Sequence, residues 1–257
     1  SHPYDKRMLT IEYVSTCGST NTLLASRADA PHATVIVAGE QTAGRGQRGN
    51  TWESEAGKNM TFSLLLRPKA IRASRQFELS MLVSLGIVEA LSDCGLDAWI
   101  KWPNDIYAGG DRKICGILIE NSISGANIER SVAGIGLNVN QEVFRSDAPN
   151  PVSMKNITGR EYALEPLLRS VCCKITGLLA AYESHPDAGE LSARYRSRLW
   201  RGDGGLYPFR DVSTGEEFHA SLAGVGNDGV LSLLPAGGTG DDALRRYLFK
   251  EVEFLLK

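Results

Sequence analysis

The sequence predicts an α+β protein in two parts: strands and helices over residues 1–202, then a small β-barrel over residues 203–257. Three observations predict it. In the first part, short β-branched runs are interspersed with long segments whose apolar residues recur at helical spacing. A Gly-Asp-Gly-Gly stretch at residues 202–205 then interrupts the chain. Beyond it stand only short strand-like runs separated by glycine turns.

Leu9 to Val14 reads as the first strand. Ser19-Thr20-Asn21 precedes Thr22-Leu23-Leu24-Ala25 as a capped helix start. Thr34 to Ala38 is short and β-branched, as a buried strand should be. A polar, glycine-rich stretch runs from Gln41 to Asn59, and Met60 to Leu66 resumes as a strand that Pro68 stops. Phe77, Met81, Leu82, Leu85, Val88 and Leu91 lie on one helical face, so Arg75 to Cys94 reads as an amphipathic helix with Gly95 beyond its end. Asp97 to Lys101, Ile114 to Glu120 and Ile128 to Leu137 read as strands. The Gly109-Gly110-Asp111 turn suggests that the first two form a hairpin.

Thr158 to Glu161 has the spacing of a capping box, but a helix begun there would enclose Pro166 at a cost of ~3 kcal/mol. Pro166 is therefore expected at the first position of the longest helix, which carries Leu167, Val171, Ile175 and Leu179. A shorter helix is expected from Leu191 to Leu199. The second part shows runs at residues 206–209, 217–225, 230–234 and 245–251, with a turn at Asn227-Asp228-Gly229.

A formal charge of −2 argues against a dedicated nucleic-acid binder. No apolar run approaches the ~20 residues that span a bilayer, and the opening Ser1 to Arg7 is too polar for a secretory signal. The five cysteines are odd in number and lack a C-x-x-C, so reduced thiols in a cytoplasmic protein are expected. The four histidines are scattered and form no zinc pattern with them.

Three segments carry chemistry. Gly44-Arg45-Gly46-Gln47-Arg48-Gly49 has G-x-G-x-x-G spacing, but neither a helix nor a suitably spaced acid follows, so a dinucleotide fold is rejected. No Gly-Lys-Ser/Thr closes it as a Walker loop either. It remains an arginine-bearing glycine loop suited to phosphate, although a plain surface hairpin would read the same. Lys101-Trp102-Pro103-Asn104-Asp105 holds Asn104 and Asp105 at a strand end, and Lys113 sits at the rim of an apolar strand, although taken singly it reads better as a solvated lysine beside a turn. Gly134 and Gly136 interrupt a β-branched strand, which suits close approach of a ligand or simple core packing.

Taken together, and in order, these segments closely resemble the biotin protein ligase family. The matching features are Ser19-Thr20-Asn21, Gln41 with Gly44-Arg45-Gly46, Trp52, Lys101 to Asp105, Arg112-Lys113 with Gly116-Ile117-Leu118, and Gly134 to Asn138. The resemblance implies a mixed-sheet α+β catalytic domain related to class II aminoacyl-tRNA synthetases, followed by a small SH3-like barrel. It implies that biotin and ATP, with Mg²⁺, form biotinyl-5′-AMP, and that biotin passes to a lysine of a biotin carboxyl carrier protein. Because the catalytic pattern begins by Leu9, a monofunctional ligase without a DNA-binding domain is expected. No nucleic-acid or membrane partner is expected, and an open sheet edge is compatible with a homodimer.

The resemblance also implies residue roles. Ser19, Thr20, Asn21 and Gln41 would line the biotin site, with Gly44, Arg45, Gly46, Gln47, Lys113, Gly116, Ile117, Gly134 and Gly136 around it. Arg45, Arg48, Trp52, Asn104, Asp105, Lys113 and Asn138 would meet ATP. Lys113 and Arg45 are the catalytic candidates, and no direct metal ligand is assigned. Gln47 departs from the family, many of whose members carry Arg there. The alternatives are a lipoate protein ligase and a non-catalytic biotin-binding regulatory module.

Overall fold

The β-branched runs pair into one mixed sheet in the computed structural model, which describes residues 9–45, 52–146 and 148–256. Its strands are β1 (Thr10–Cys17), β2 (Thr34–Gln41), β3 (Met60–Leu66), β4 (Ala98–Lys101), β5 (Asp105–Ala108), β6 (Arg112–Ser124) and β7 (Asn127–Leu137). They lie in the order β1-β2-β3-β7-β6-β5-β4. Only β1 and β2 run parallel; the remaining neighbours are antiparallel.

The expected hairpin between Asp97 to Lys101 and Ile114 to Glu120 is corrected by β5. The Trp102-Pro103-Asn104 connection returns the chain at once, so β4 pairs with β5, and the Gly109-Gly110 turn joins β5 to β6. Four residues are too few to show a period-two pattern, so β5 was not visible in the sequence.

The helices are α1 (Thr20–Ala25), α2 (Phe77–Asp93), α3 (Met154–Thr158), α4 (Leu164–Ser184) and α5 (Ala188–Ser197). Pro166 stands third in α4, not first. The first turn of a helix has no intrahelical partner for its N–H groups, so proline costs no bond there either. A true capping box, Ser153 with Asn156, starts α3, and Gly159 ends it at φ 72°.

Side-chain alternation sorts the sheet's two faces. Phe62, Leu64 and Leu66 of β3 join Ala133, Ile135 and Leu137 of β7 in the main core, together with the apolar residues of α2 and α4. Their neighbours Leu65 and Val132 instead meet Ile36 and Leu24 in a small cluster beneath α1. The opposite face of the sheet from α2 and α4 is thus left to α1 and to the polar and glycine positions of β3, β6 and β7.

The SH3-like barrel is not formed. The strands β8 (Tyr207–Asp211), β9 (Glu217–Val225), β10 (Leu231–Pro235), β11 (Arg245–Tyr247) and β12 (Val252–Phe254) make an open sheet in the order β11-β10-β9-β8-β12. The two edges are joined by the turn Leu248–Glu251, closed by a 3.1 Å bond from the Glu251 N–H to the Leu248 carbonyl. Such a turn spans under ~7 Å, whereas a flat five-stranded sheet separates its edges by ~19 Å. The sheet must therefore curl, yet β11 and β12 do not pair. The residues between them are committed to the turn, and the Glu251 carbonyl accepts from Val212 at 2.9 Å. The curled face is filled by Phe209, Phe218, Tyr247 and Val252, which belong to the same core as α2 and α4.

Candidate active site

Ser19 accepts from the Thr22 N–H and starts α1, which turns Thr20 and Asn21 inward in its first turn. Both are buried, so their polar atoms need partners. The Thr20 backbone N–H donates to Gln41 Oε1 at 2.8 Å, and its hydroxyl lies 3.2 Å from the same atom. Ser63 bonds Thr20 Oγ1 at 2.8 Å and the Asn21 side-chain carbonyl. Asn21 Nδ2 donates to the Leu118 carbonyl at 3.1 Å and to Glu120 Oε2 at 2.9 Å. Glu120 also meets Arg45 at 3.3 Å, and Arg45 donates to Thr22 Oγ1 at 3.2 Å. The result is one connected network of hydroxyls and amides ending on an ion pair.

The floor beside this network is set by register. Gly116, Gly136 and Thr61 stand in one row across β6, β7 and β3, and Leu118, Gly134 and Ser63 form the next. The absent side chains are replaced by Trp52 and Asn21. A Cβ at Gly116 or Gly136 would lie 2.9 or 2.5 Å from the Trp52 ring, and one at Gly134 would lie 2.5 Å from Asn21 Oδ1.

The third wall is charged. Lys113 Nζ lies 3.0 Å from Asp105 Oδ1 and 5.5 Å from the Trp52 ring centroid. The two side chains are 28% and 30% exposed, so the pair faces the cavity rather than the core. Nearby, Lys101 places its ammonium 5.3 and 5.5 Å from the rings of Tyr107 and Phe254. Burial holds this ammonium below the usual lysine range, partly offset by Asp105.

These walls enclose a cavity of about 260 Å³. Among the predicted residues, Ser19, Thr20, Asn21, Gln41, Arg45, Trp52, Asp105, Lys113, Gly116, Ile117, Gly134 and Gly136 line it. Three others do not. Gly44 lies behind Gln41, where a Cβ would meet Nε2 at 3.0 Å. Asn104 is buried beside an adjoining cleft with Trp102 and Pro103. Asn138 is buried beyond the end of β7, where Nδ2 donates to the Val152 carbonyl at 3.1 Å. Gly46, Gln47 and Arg48 lie outside the described residues.

Sequence reasoning missed Thr61, Phe62, Leu118, Ile135 and Phe249 in the lining, and Ser63 and Glu120 in the network behind it. Thr61 and Ser63 left a signal: they are the two polar positions, at period two, of an otherwise apolar strand. Phe249 left none, because it arrives from the C-terminal sheet.

A family model for biotin/lipoate A/B protein ligases matches residues 14–138, which span β1 to β7 and almost every wall just described. Over these residues the chain resembles this family. The chain is 38% identical over 115 residues to the bifunctional ligase/repressor BirA of Bacillus subtilis, a match covering 44% of this chain and 35% of that protein. It is also 38% identical over 138 residues to the biotin–[acetyl-CoA-carboxylase] ligase of Paracoccus denitrificans, covering 51% of this chain and 55% of the relative. The matches thus span about a third to a half of these relatives. In fold, the chain is similar to the biotin protein ligase of Aquifex aeolicus solved with biotin and ATP. That match has a TM-score of 0.77 and 24% identity, over 96% of this chain and 99% of the other.

Proposed function

We propose that this chain is a biotin protein ligase that forms biotinyl-5′-AMP from biotin and ATP and transfers biotin to a lysine of a biotin carboxyl carrier protein. One observation carries the reading. A buried hydroxyl–amide network ending on Arg45 and the separate Lys113–Asp105 pair line a single cavity. The family's named ligases and the biotin- and ATP-bound Aquifex fold support it.

The ureido ring of biotin has one carbonyl and two N–H groups, which need fixed partners when buried. Thr20, Asn21, Gln41 and Ser19 are the residues placed to supply them. The glycine rows let Trp52 and Asn21 pack against the sheet, and Trp52 and Ile117 offer apolar surface to the rest of the ligand. A carboxylate oxygen then attacks the α-phosphorus, the bond to the bridging oxygen of the β-phosphate breaks, and pyrophosphate leaves. Lys113 and Arg45 offset the charge that builds on the α-phosphate. In the second step the carrier amine attacks the acyl carbon, AMP leaves, and the amine loses a proton.

Mg²⁺ bound with the nucleotide would supply further charge neutralisation on the phosphates. Among the described residues no group of three His, Cys, Asp or Glu is gathered. Among the described residues, Asp105 is the carboxylate that lines the cavity wall, which fits an ion held mostly by phosphates and water.

The test is pyrophosphate release with ATP and Mg²⁺, comparing biotin with lipoate. Biotin-dependent release is expected. Release with lipoate alone would assign the site to a lipoate ligase, and ligand binding without release would leave a non-catalytic module.

A further inference from the structure

The turn that joins the edges of the C-terminal sheet carries a residue into the cavity of the other sheet. Leu248–Glu251 is fastened at several points: the Glu251 N–H bonds the Leu248 carbonyl, the Leu248 N–H bonds Glu251 Oε2 at 2.7 Å, and Val212 holds the Glu251 carbonyl. Lys250 completes the reversal at φ 69°, a left-handed conformation. The turn thereby directs Phe249 away from its own sheet. Its ring stands edge-on to Trp102 at 6.4 Å, and Trp102 is itself tied back by a 2.9 Å bond from its indole N–H to the Gly229 carbonyl.

Phe249 borders three separate spaces. It lines the 260 Å³ cavity with Lys113 and Asp105. It lines a second cleft that also touches Asp105 and contains Lys101. It lines a third with Asn104 and Gly229. Its ring is a shared partition, placed at the charged end of the cavity.

We propose that Phe249 is the residue that retains the acyl-adenylate, so that the C-terminal sheet sets the split between transfer to the carrier and escape into water. This rests on the adenylation reading above. A mixed anhydride is lost if water reaches it, and the Phe249 ring, which borders the cavity and both adjoining clefts, narrows the passage between them.

The full chain is mixed with biotin, ATP and Mg²⁺, and free adenylate is separated from bound adenylate by rapid filtration. Wild type should hold about one equivalent and then stall without carrier. Phe249→Ala should release free adenylate and continue pyrophosphate production at least about tenfold faster, with the yield of carrier biotinylation per ATP falling. Phe249→Tyr should restore retention, which a purely structural defect would not require. Phe249→Leu carries the test if the alanine protein loses the wild-type melting transition: an intermediate leak supports the role. Retention equal to wild type in Phe249→Ala, or in Phe249→Leu where the alanine protein does not fold, overturns it. Absence of adenylate from wild type would instead sink the activity itself.

Discussion

Asn21 occupies the space beside Gly134 where any larger residue would begin, with Oδ1 2.5 Å from the position of a Cβ. The contact is rigid on both sides. Gly134 is fixed between Ser63 and Leu118 in the sheet, and Asn21 is fixed by Ser63, the Leu118 carbonyl and Glu120. Gly134→Ala should therefore push Asn21 off these partners. Overpacking of this kind costs ~1–3 kcal/mol, read as a lower urea midpoint. Biotin affinity should fall by about tenfold or more in a calorimetric titration. Unchanged affinity would mean that Asn21 does not serve the ligand.

The Lys113–Asp105 pair is partly exposed, so it adds little to stability. Its proposed value lies in catalysis. Lys113→Ala should leave the melting temperature close to wild type and lower single-turnover adenylate formation by ~10²–10³. Adenylation at the wild-type rate would remove Lys113 from the reaction.

Trp52 covers Gly116 and Gly136, and its Nε1 is buried with no partner among the described residues. A ligand entering the cavity must alter this indole, whereas Trp99, Trp102 and Trp200 do not line the cavity. Addition of biotin and ATP should change the intrinsic emission of the wild type. Trp52→Phe should abolish most of that change, and a full signal from the variant would place the responding indole elsewhere.

The parts of the fold legible in the sequence were those fixed by local pattern. Thr34 to Ala38 and Met60 to Leu66 form strands because β-branched and apolar residues dominate there, although the first runs on through Gly39-Glu40-Gln41, and Phe77 to Asp93 forms a helix because its apolar period is sustained. The glycines of β7 pointed to a close approach, although what approaches them in the structure is Trp52 and Asn21. Long-range relationships were not legible. The pairing of β4 with β5, the open edge between β11 and β12, and the arrival of Phe249 at the cavity depend on tertiary packing, not on the residues nearby. The motif around Asn138 suggested a ligand contact; Asn138 does not line the cavity, its Nδ2 bonds the Val152 carbonyl, and its buried Oδ1 has no partner among the described residues.

His32 makes a pH prediction independent of the active site. Its Nδ1 accepts the Arg67 backbone N–H at 3.0 Å, which requires the neutral ring. Burial pushes its pKa below the ordinary 6.5, with Lys69 and Arg67 adding to the effect and Glu183 opposing it. The unfolded chain therefore takes up a proton near 6.5 that the folded protein refuses until lower pH. The stability contribution is present above 6.5 and declines as pH falls through the window down to the folded value. His32→Asn keeps an acceptor for the Arg67 N–H but cannot titrate. Between about pH 7.5 and about pH 5.5, the urea midpoint of wild type should fall further than that of the variant. Parallel declines in the two proteins would show that His32 is not protonated differently in the folded and unfolded states.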